Sequence, residues 1–358
     1  IHNGTFNKTI VETYQDIYML WIVQYEKTVE ESTFLKTSRI FKNHILPELG
    51  EYKIDKLNVE LCQKAVNTWS DRLKNFKMVK AYAAKVLEFA IKREYAKSNP
   101  FSFVEIPKKR VQGVQEKVEN FYTKEELIEF LSCLERESNY QSYALFRLLS
   151  YTGMRKGEAL ALTWKDIYFD QRKISINKAI TRGKNNQLYV KSTKTDTSRT
   201  ITIDSKTLDI LIDWREKQRL KFLSLGFDTN QLHQLIFSNS KNEHLQPTKT
   251  RQWILFIQEK YRLKQVTTHG LRHTHCSLLF EAGASIKEVQ DRLGHFEVCR
   301  RNGEVDDDVD LVICQKLLDR LRLDAVFLGA QFCCTPVQVR AGEHLQTLEQ
   351  GRQRKIGG

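Results

Sequence analysis

The chain has 358 residues, too many for one simple hydrophobic core, and reads as two domains with a tail. Its 57 Lys and Arg against 44 Asp and Glu leave a net charge of +13. That excess favours a polyanion as partner, nucleic acid ahead of membrane, because no apolar run reaches the length of a span and no basic amphipathic anchor stands out.

Seven cysteines, at positions 62, 133, 276, 299, 314, 333 and 334, follow no framework spacing. A reducing, cytoplasmic compartment is expected. Residues 1–8 read as a leader, and Ile1 in place of Met fits a start inside a longer gene product.

Residues 9–100 read as a small helical bundle. Val11, Tyr14, Tyr18, Trp21, Ile22 and Tyr25 mark one amphipathic face, and segments near 33–46, 58–73 and 77–95 repeat the spacing, with breaks expected at Pro47, Gly50 and Asn75. The bundle carries Lys36, Arg39, Lys42, Lys77 and Lys80, which read either as phosphate contacts or as an ordinary solvated face. Residues 101–121 read as a basic, extended linker containing Lys108, Lys109 and Arg110, able to follow a DNA backbone.

Thr123 with Glu126 forms a capping box that opens a second domain, 122–296. An apolar helix from Tyr143 to Tyr151 leads into Thr152-Gly153-Met154-Arg155-Lys156-Gly157-Glu158 and a second apolar run, Ala159 to Trp164. Arg155 thus sits between two buried segments, with Glu158 close enough to orient it or simply to pair with it.

Residues 166–203 change to a period of two. Three short strands are expected, Ile174–Ile176, Leu188–Val190 and Thr200–Ile203, with the tip between the last two projecting Lys194. Helices at about 205–223 and 248–261 follow, with a short strand at Leu235–Phe237 between them.

The segment from Thr267 to His295 reads as two helices with a polar corner. Thr267 or Thr268 caps the first, Gly283 ends it, Ser285 and Glu288 box the second, and Gly294 stops it. Leu271, His275, Leu278, Leu279 and Ala282 have the period of a buried face, which puts His269 and Arg272 together on another. Imidazole, guanidinium and His295 past the helix end suit an oxyanion such as a phosphodiester. The competing readings are surface or capping roles, and a zinc corner built on His269 and His273 with His275 and Cys276 nearby. Arg272 and the absence of an H-E-x-x-H glutamate count against the metal.

In this order and spacing, the Thr152–Glu158 turn, Lys194, His269-Gly270-Leu271-Arg272-His273 and Leu293-Gly294-His295 resemble the catalytic pattern of the tyrosine recombinases, specifically the integrases of phages and conjugative transposons. The resemblance implies a mainly α fold with a small antiparallel β-sheet (α+β): a helical core-type DNA-binding domain followed by a mixed catalytic domain. It further implies strand exchange on double-stranded DNA through a 3′-phosphotyrosine, without metal, ATP or other cofactor, by a homo-oligomer aided by DNA-bending proteins. Arg155 and Arg272 would clamp the scissile phosphate, Lys194 would protonate the leaving oxygen, His269 would act as acid and base, His295 would donate to the phosphate, and Glu158 would support Arg155.

One departure stands out. Where the family has its nucleophilic tyrosine this chain has Glu304, and no tyrosine follows Tyr261. Residues 297–358 hold nine Lys or Arg against ten Asp or Glu, leaving 48 against 34 in residues 1–296, and they contain neither serine nor tyrosine. This tail reads as foreign to the ancestral enzyme, by frameshift, fusion or gene-model join. An amphipathic helix from Val309 to Leu328 is its one structural expectation, and Cys299 or a tyrosine in trans the only substitute nucleophiles. The expected function is a site-specific recombinase impaired in covalent cleavage; the alternatives are a non-catalytic DNA-binding protein that occupies recombination sites, and a zinc hydrolase.

Overall fold

The computed structural model describes residues 12–107, 119–192, 198–229 and 231–294. They fall into two compact units, one N-terminal to residue 116 with residues 182–187 added, the other from 117 onward without them.

The first unit opens with α1 (Tyr14–Glu26), which starts where Thr13 and Asp16 cap each other's backbone N–H groups. Its buried face is Tyr14, Ile17, Tyr18 and Trp21, and Tyr18 stacks on Phe41 at 4.4 Å. Val11, expected on that face, lies outside the described residues. Next come α2 (Glu31–Ile40), a π-helical turn (Phe41–Ile45) and α3 (Leu46–Leu49).

The break expected at Pro47 does not occur. In the widened turn the Leu46 N–H donates to the Phe41 carbonyl, and Pro47 enters at the start of α3, where an N–H would have had no partner in an ordinary first turn. The break expected at Gly50 does occur, since α3 stops at Leu49 with Gly50 as its C-cap, at a right-handed φ of −55°.

Asn58 caps α4 (Val59–Arg72), accepting from Leu61 N, and α5 (Phe76–Lys92) follows. The apolar cluster of this unit runs past residue 100. Phe101 is fully buried with its ring stacked 6.2 Å from Trp69, and Val104 is buried beside them, so the stretch read as extended linker begins as part of the bundle's core.

In the second unit the Thr123–Glu126 capping box opens α6 (Lys124–Glu135), and α7 (Tyr140–Thr152) ends on Gly153 at a φ of +64°. A turn leads to α8 (Lys156–Ala161). The β-strands are β1 (Ile167–Tyr168), β2 (Lys173–Ile176), β3 (Lys178–Arg182), β4 (Leu188–Ser192) and β5 (Arg199–Thr202). They are followed by α9 (Ser205–Leu223), α10 (Pro247–Lys260), α11 (Gly270–Glu281) and α12 (Ile286–Leu293).

The strands make two sheets, β1-β2-β5 and β3-β4. Strand β2 is central and antiparallel to both neighbours, with Ile174 opposite Ile167 on one side and Ile201 on the other, so three buried isoleucines meet in one row. Two strands, β1 and β3, lie beyond the three expected. Among the described residues β4 pairs with β3 and β5 with β2, and the expected hairpin tip carrying Lys194 lies outside them. Leu235–Phe237 contributes only an isolated bridge, Leu235 to Thr163. The fold is therefore mainly helical with small antiparallel sheets.

The centre of this unit is the packing of α7 against α11. Every residue of α7 from Gln141 to Thr152 is buried, and so is every residue of α11 from Gly270 to Phe280. The amphipathic assignment for α11 is thus corrected. Arg272 is 2% exposed, and Ala282, placed on the buried face by periodicity, is an exposed C-cap. A helix enclosed on all sides has no solvent face to reveal by period.

Candidate functional site

The C-terminus of α7 sets the geometry. Gly153 turns left-handed, and a Cβ there would lie 2.6 Å from His275 Cδ2 and 2.7 Å from Leu293 Cδ2. The absence of a side chain lets α11 and the end of α12 close on the turn, and the turn's carbonyl then becomes a ligand. Arg272 Nη1 donates to Gly153 O at 2.5 Å, and Nη2 donates to Leu293 O at 3.0 Å. One buried guanidinium therefore joins the turn that leads to Arg155 with the helix end that leads to residue 295.

Arg155 is the N-cap residue of α8, with a side chain 32% exposed. Its backbone N donates to Glu158 Oε2 at 2.8 Å, the capping-box return of an N3 glutamate. The expected side-chain pair is long, Arg155 Nη1 to Glu158 Oε1 at 3.5 Å. The closer partner of Glu158 is Arg199 on β5, which the motif spacing does not single out: Nη2 donates to Oε2 at 2.6 Å and Nη1 to Oε1 at 3.1 Å. Burial pushes the Glu158 carboxyl upward, but the hydrogen bonds and charge of Arg199, with help from Arg155, hold it below its ordinary value. A signal was available, since Arg199 shares the inward face of β5 with buried Ile201. An arginine in the apolar register of a strand calls for a buried anion.

Arg292, in the last turn of α12, also went unforeseen. Its Nε donates to His275 Nε2 at 3.0 Å, and its Nη2 to Tyr151 O at 3.2 Å and Thr202 O at 3.1 Å. Because a guanidinium has only donors, Nε2 of His275 must accept, which leaves the ring proton on Nδ1 to be donated to Ser150 O at 3.0 Å. Burial, then the charge of Arg292, push the His275 pKa well below 6.5, so this imidazole is neutral. Burial brings Arg292 down to about 10, which leaves it charged at neutral pH.

His269 occupies the exposed N-cap position of α11, its ring packed edge-on against the buried ring of His273 at 4.8 Å. Thr267 supplies the cap expected there, its hydroxyl accepting from Gly270 N at 3.0 Å. Among the described residues no three His, Cys, Asp or Glu side chains converge as metal ligands. His275, which a zinc corner would use, is committed to Ser150 and Arg292.

Among the described residues, four guanidiniums, those of Arg155, Arg199, Arg272 and Arg292, are joined by hydrogen bonds to the Gly153–Glu158 turn and its neighbours, against the carboxylate of Glu158. The nearby Arg147–Asp204 pair, 2.8 Å apart, is neutral in sum. Such an excess favours an anion, and Arg155 is the most exposed donor of the Glu158 pair.

Of the sequence-derived site, the structure gathers Arg155, Glu158 and Arg272 at this turn, with His269 at the start of the Arg272 helix. Lys194 and His295 lie outside the described residues, as do Lys108, Lys109, Arg110 and the tail from 297. In the first unit Lys36 and Arg39 lie on α2, Lys42 on the π turn and Lys77 on α5, all exposed, and Lys80 on α5 is half-buried.

Comparison with known proteins bears on this arrangement. The family model of the phage integrase family matches residues 120–299, and that of the phage integrase N-terminal SAM-like domain matches residues 13–70. The chain is similar to a prophage ps2 probable integrase of Lactococcus lactis, 29% identical over 295 residues, covering 79% of this chain and 75% of that one. It is also similar to a XerC-like tyrosine recombinase of Caldanaerobacter subterraneus, 25% identical over 305 residues, covering 80% and 77%. Among solved structures, the Tn1549 transposon integrase in complex with a circular intermediate DNA superposes with a TM-score of 0.69 at 18% identity, over 88% of this chain and 99% of that one. A lambda integrase dimer bound to a core site gives 0.57 at 18% identity, over 81% and 99%.

Proposed function

The chain belongs to the phage integrase family, and from that premise we propose that it binds double-stranded DNA at a recombination site and grips one phosphodiester between Arg155 and Arg272. The supporting observation is the double donation of Arg272 to Gly153 O and Leu293 O. It anchors one arginine to the turn that carries the other and to the helix end that precedes His295.

In this reading the two arginines neutralise charge growing on the non-bridging oxygens. Lys194 protonates the leaving 5′ oxygen, His269 exchanges a proton with the attacking group, His295 adds a donor, and Glu158 supports Arg155. Residues 9–100 serve as the core-type DNA-binding domain. Lys36, Arg39, Lys42, Lys77 and Lys80 there, with Lys108, Lys109 and Arg110 in the linker, contact backbone phosphates. The protein works as a homo-oligomer on cytoplasmic DNA, assisted by bending proteins, and needs no metal or other cofactor.

Covalent cleavage is impaired, because Glu304 stands where the phosphotyrosine would form and no tyrosine follows Tyr261. The same absence favours a second reading, a non-catalytic occupant of recombination sites that blocks or assists an intact relative. A suicide DNA substrate carrying the crossover site distinguishes them. Salt-sensitive binding with no covalent adduct is the outcome expected for this chain. An adduct that survives denaturant refutes the impairment, and no DNA binding refutes the proposal as a whole.

A further inference from the structure

We propose that Arg199 is a positioning residue for the phosphate clamp, linking the Arg155 turn to the end of α12 through one side chain. The inference rests on the phosphate-gripping reading above. Its two terminal nitrogens hold both oxygens of Glu158, at 2.6 and 3.1 Å, and Glu158 in turn holds the Arg155 backbone N at 2.8 Å. Its Nε donates to Arg292 O at 3.3 Å, two residues before Gly294, and its stem packs so closely on Gly294 that a Cβ there would meet Cδ and Nη1 at 3.1 Å. In sequence it is the fifth residue after Lys194 and the first of β5.

Arg199 therefore ties the presentation of Arg155 to the C-terminal end of α12, the helix whose end Arg272 also holds. Arg292 braces the joint from the other side by donating to Thr202 O, on the same strand. The planar fork is what this role requires. A lysine keeps the charge but, as a single point donor, cannot span both carboxylate oxygens while also reaching the Arg292 carbonyl.

A buried ion pair of similar burial in the same unit serves as a control. Arg147 and Asp204 lie 2.8 Å apart with side chains 4% and 8% exposed, and Arg147 Nε donates to Thr207 Oγ1 at 3.0 Å. If Arg199 only stabilised the fold, substituting either arginine would affect the phosphate site alike.

The test uses the full chain and a duplex that it selects from a random-sequence pool, with one neutral methylphosphonate walked through the selected site. For the unsubstituted protein, one phosphate step should cost roughly tenfold or more in affinity when neutralised, the scale of a charge-assisted hydrogen bond. Arg199→Lys should cut that penalty to about two- or threefold while leaving the salt dependence of overall binding unchanged. Arg147→Lys should lower the melting temperature and leave the penalty intact.

Combining Arg155→Ala with Arg199→Lys should give no smaller penalty than Arg155→Ala alone, because one acts through the other. The inference is overturned if Arg199→Lys keeps the full penalty, if Arg147→Lys reduces it equally, or if the two site substitutions act independently. A flat profile in the unsubstituted protein overturns the phosphate-gripping reading itself, and this inference with it.

Discussion

Gly153→Ala should loosen the second unit from its centre. The residue adopts a φ of +64°, a conformation that costs an L side chain about 1–2 kcal/mol. The new methyl would also lie 2.6 Å from His275 Cδ2 and 2.7 Å from Leu293 Cδ2. The imidazole cannot swing aside, because Ser150 O and Arg292 Nε hold its two nitrogens at 3.0 Å each. Overpacking of this kind costs about 1–3 kcal/mol, so the sum is about 2–5 kcal/mol. Amide hydrogen exchange read on peptides from α7 and α11 reports this unit alone, and protection there should fall roughly 30-fold to several thousand-fold, at tenfold per 1.4 kcal/mol. Gly283→Ala is the matched control, since its φ is +86° but nothing lies within 4 Å of the added methyl. It should cost the backbone share only. If Gly153→Ala exchanges no faster than Gly283→Ala, the claim that α11 and α12 close directly on this turn is wrong.

Other consequences follow from the same geometry. His275 stays neutral when buried but takes up a proton near pH 6.5 when unfolded. The unfolded chain therefore binds more protons, and stability should decline as pH falls below about 6.5. His275→Asn, which keeps a donor for Ser150 O, should flatten that part of a urea-midpoint profile. Glu158 and Asp204, each pushed up by burial but held below its ordinary value by Arg199 and Arg147 respectively, contribute stability above the ordinary carboxylate range. That contribution disappears in a second decline, beginning near pH 4.5 and continuing as pH falls through the depressed folded values. Glu158→Gln leaves Arg199 buried without its counter-charge and should cost about 3–5 kcal/mol in chemical denaturation. Replacing Lys77 and Lys80 by Gln should weaken DNA binding across all sequences and reduce the salt slope by about 0.9 for each phosphate no longer neutralised, read by fluorescence anisotropy over a salt series.

Much of this architecture is legible in the chain's local signals. The capping boxes at Thr123–Glu126 and Ser285–Glu288 form as their spacing predicts, and Gly283 and Gly294 take the left-handed conformation expected of helix ends. These are local events: a hydroxyl, a carboxylate or a missing Cβ meets backbone within four residues, so the sequence carries the whole interaction. The helical period of the Tyr14, Tyr18 and Trp21 face is legible for a related reason, because one side of that helix still meets solvent. Pro47 fails as a stop signal because the accommodating π turn is chosen by the packing of Phe41 against Tyr18 and Trp21, which no local rule contains.

What the sequence determined by itself was the inventory: two separated arginines, the glutamate three residues past the first, the helix-ending glycines at 283 and 294, and a basic surplus outside the tail. Only the tertiary structure decided how these are used. It buried α11 on every side, turned Arg272 inward to two backbone carbonyls, and gave Glu158 a partner 41 residues away on another strand. The physical reason is that a buried charge takes whatever donors and acceptors the packed elements bring within reach. Which elements pack is settled by the sum of many apolar contacts, and no short stretch of residues encodes that sum.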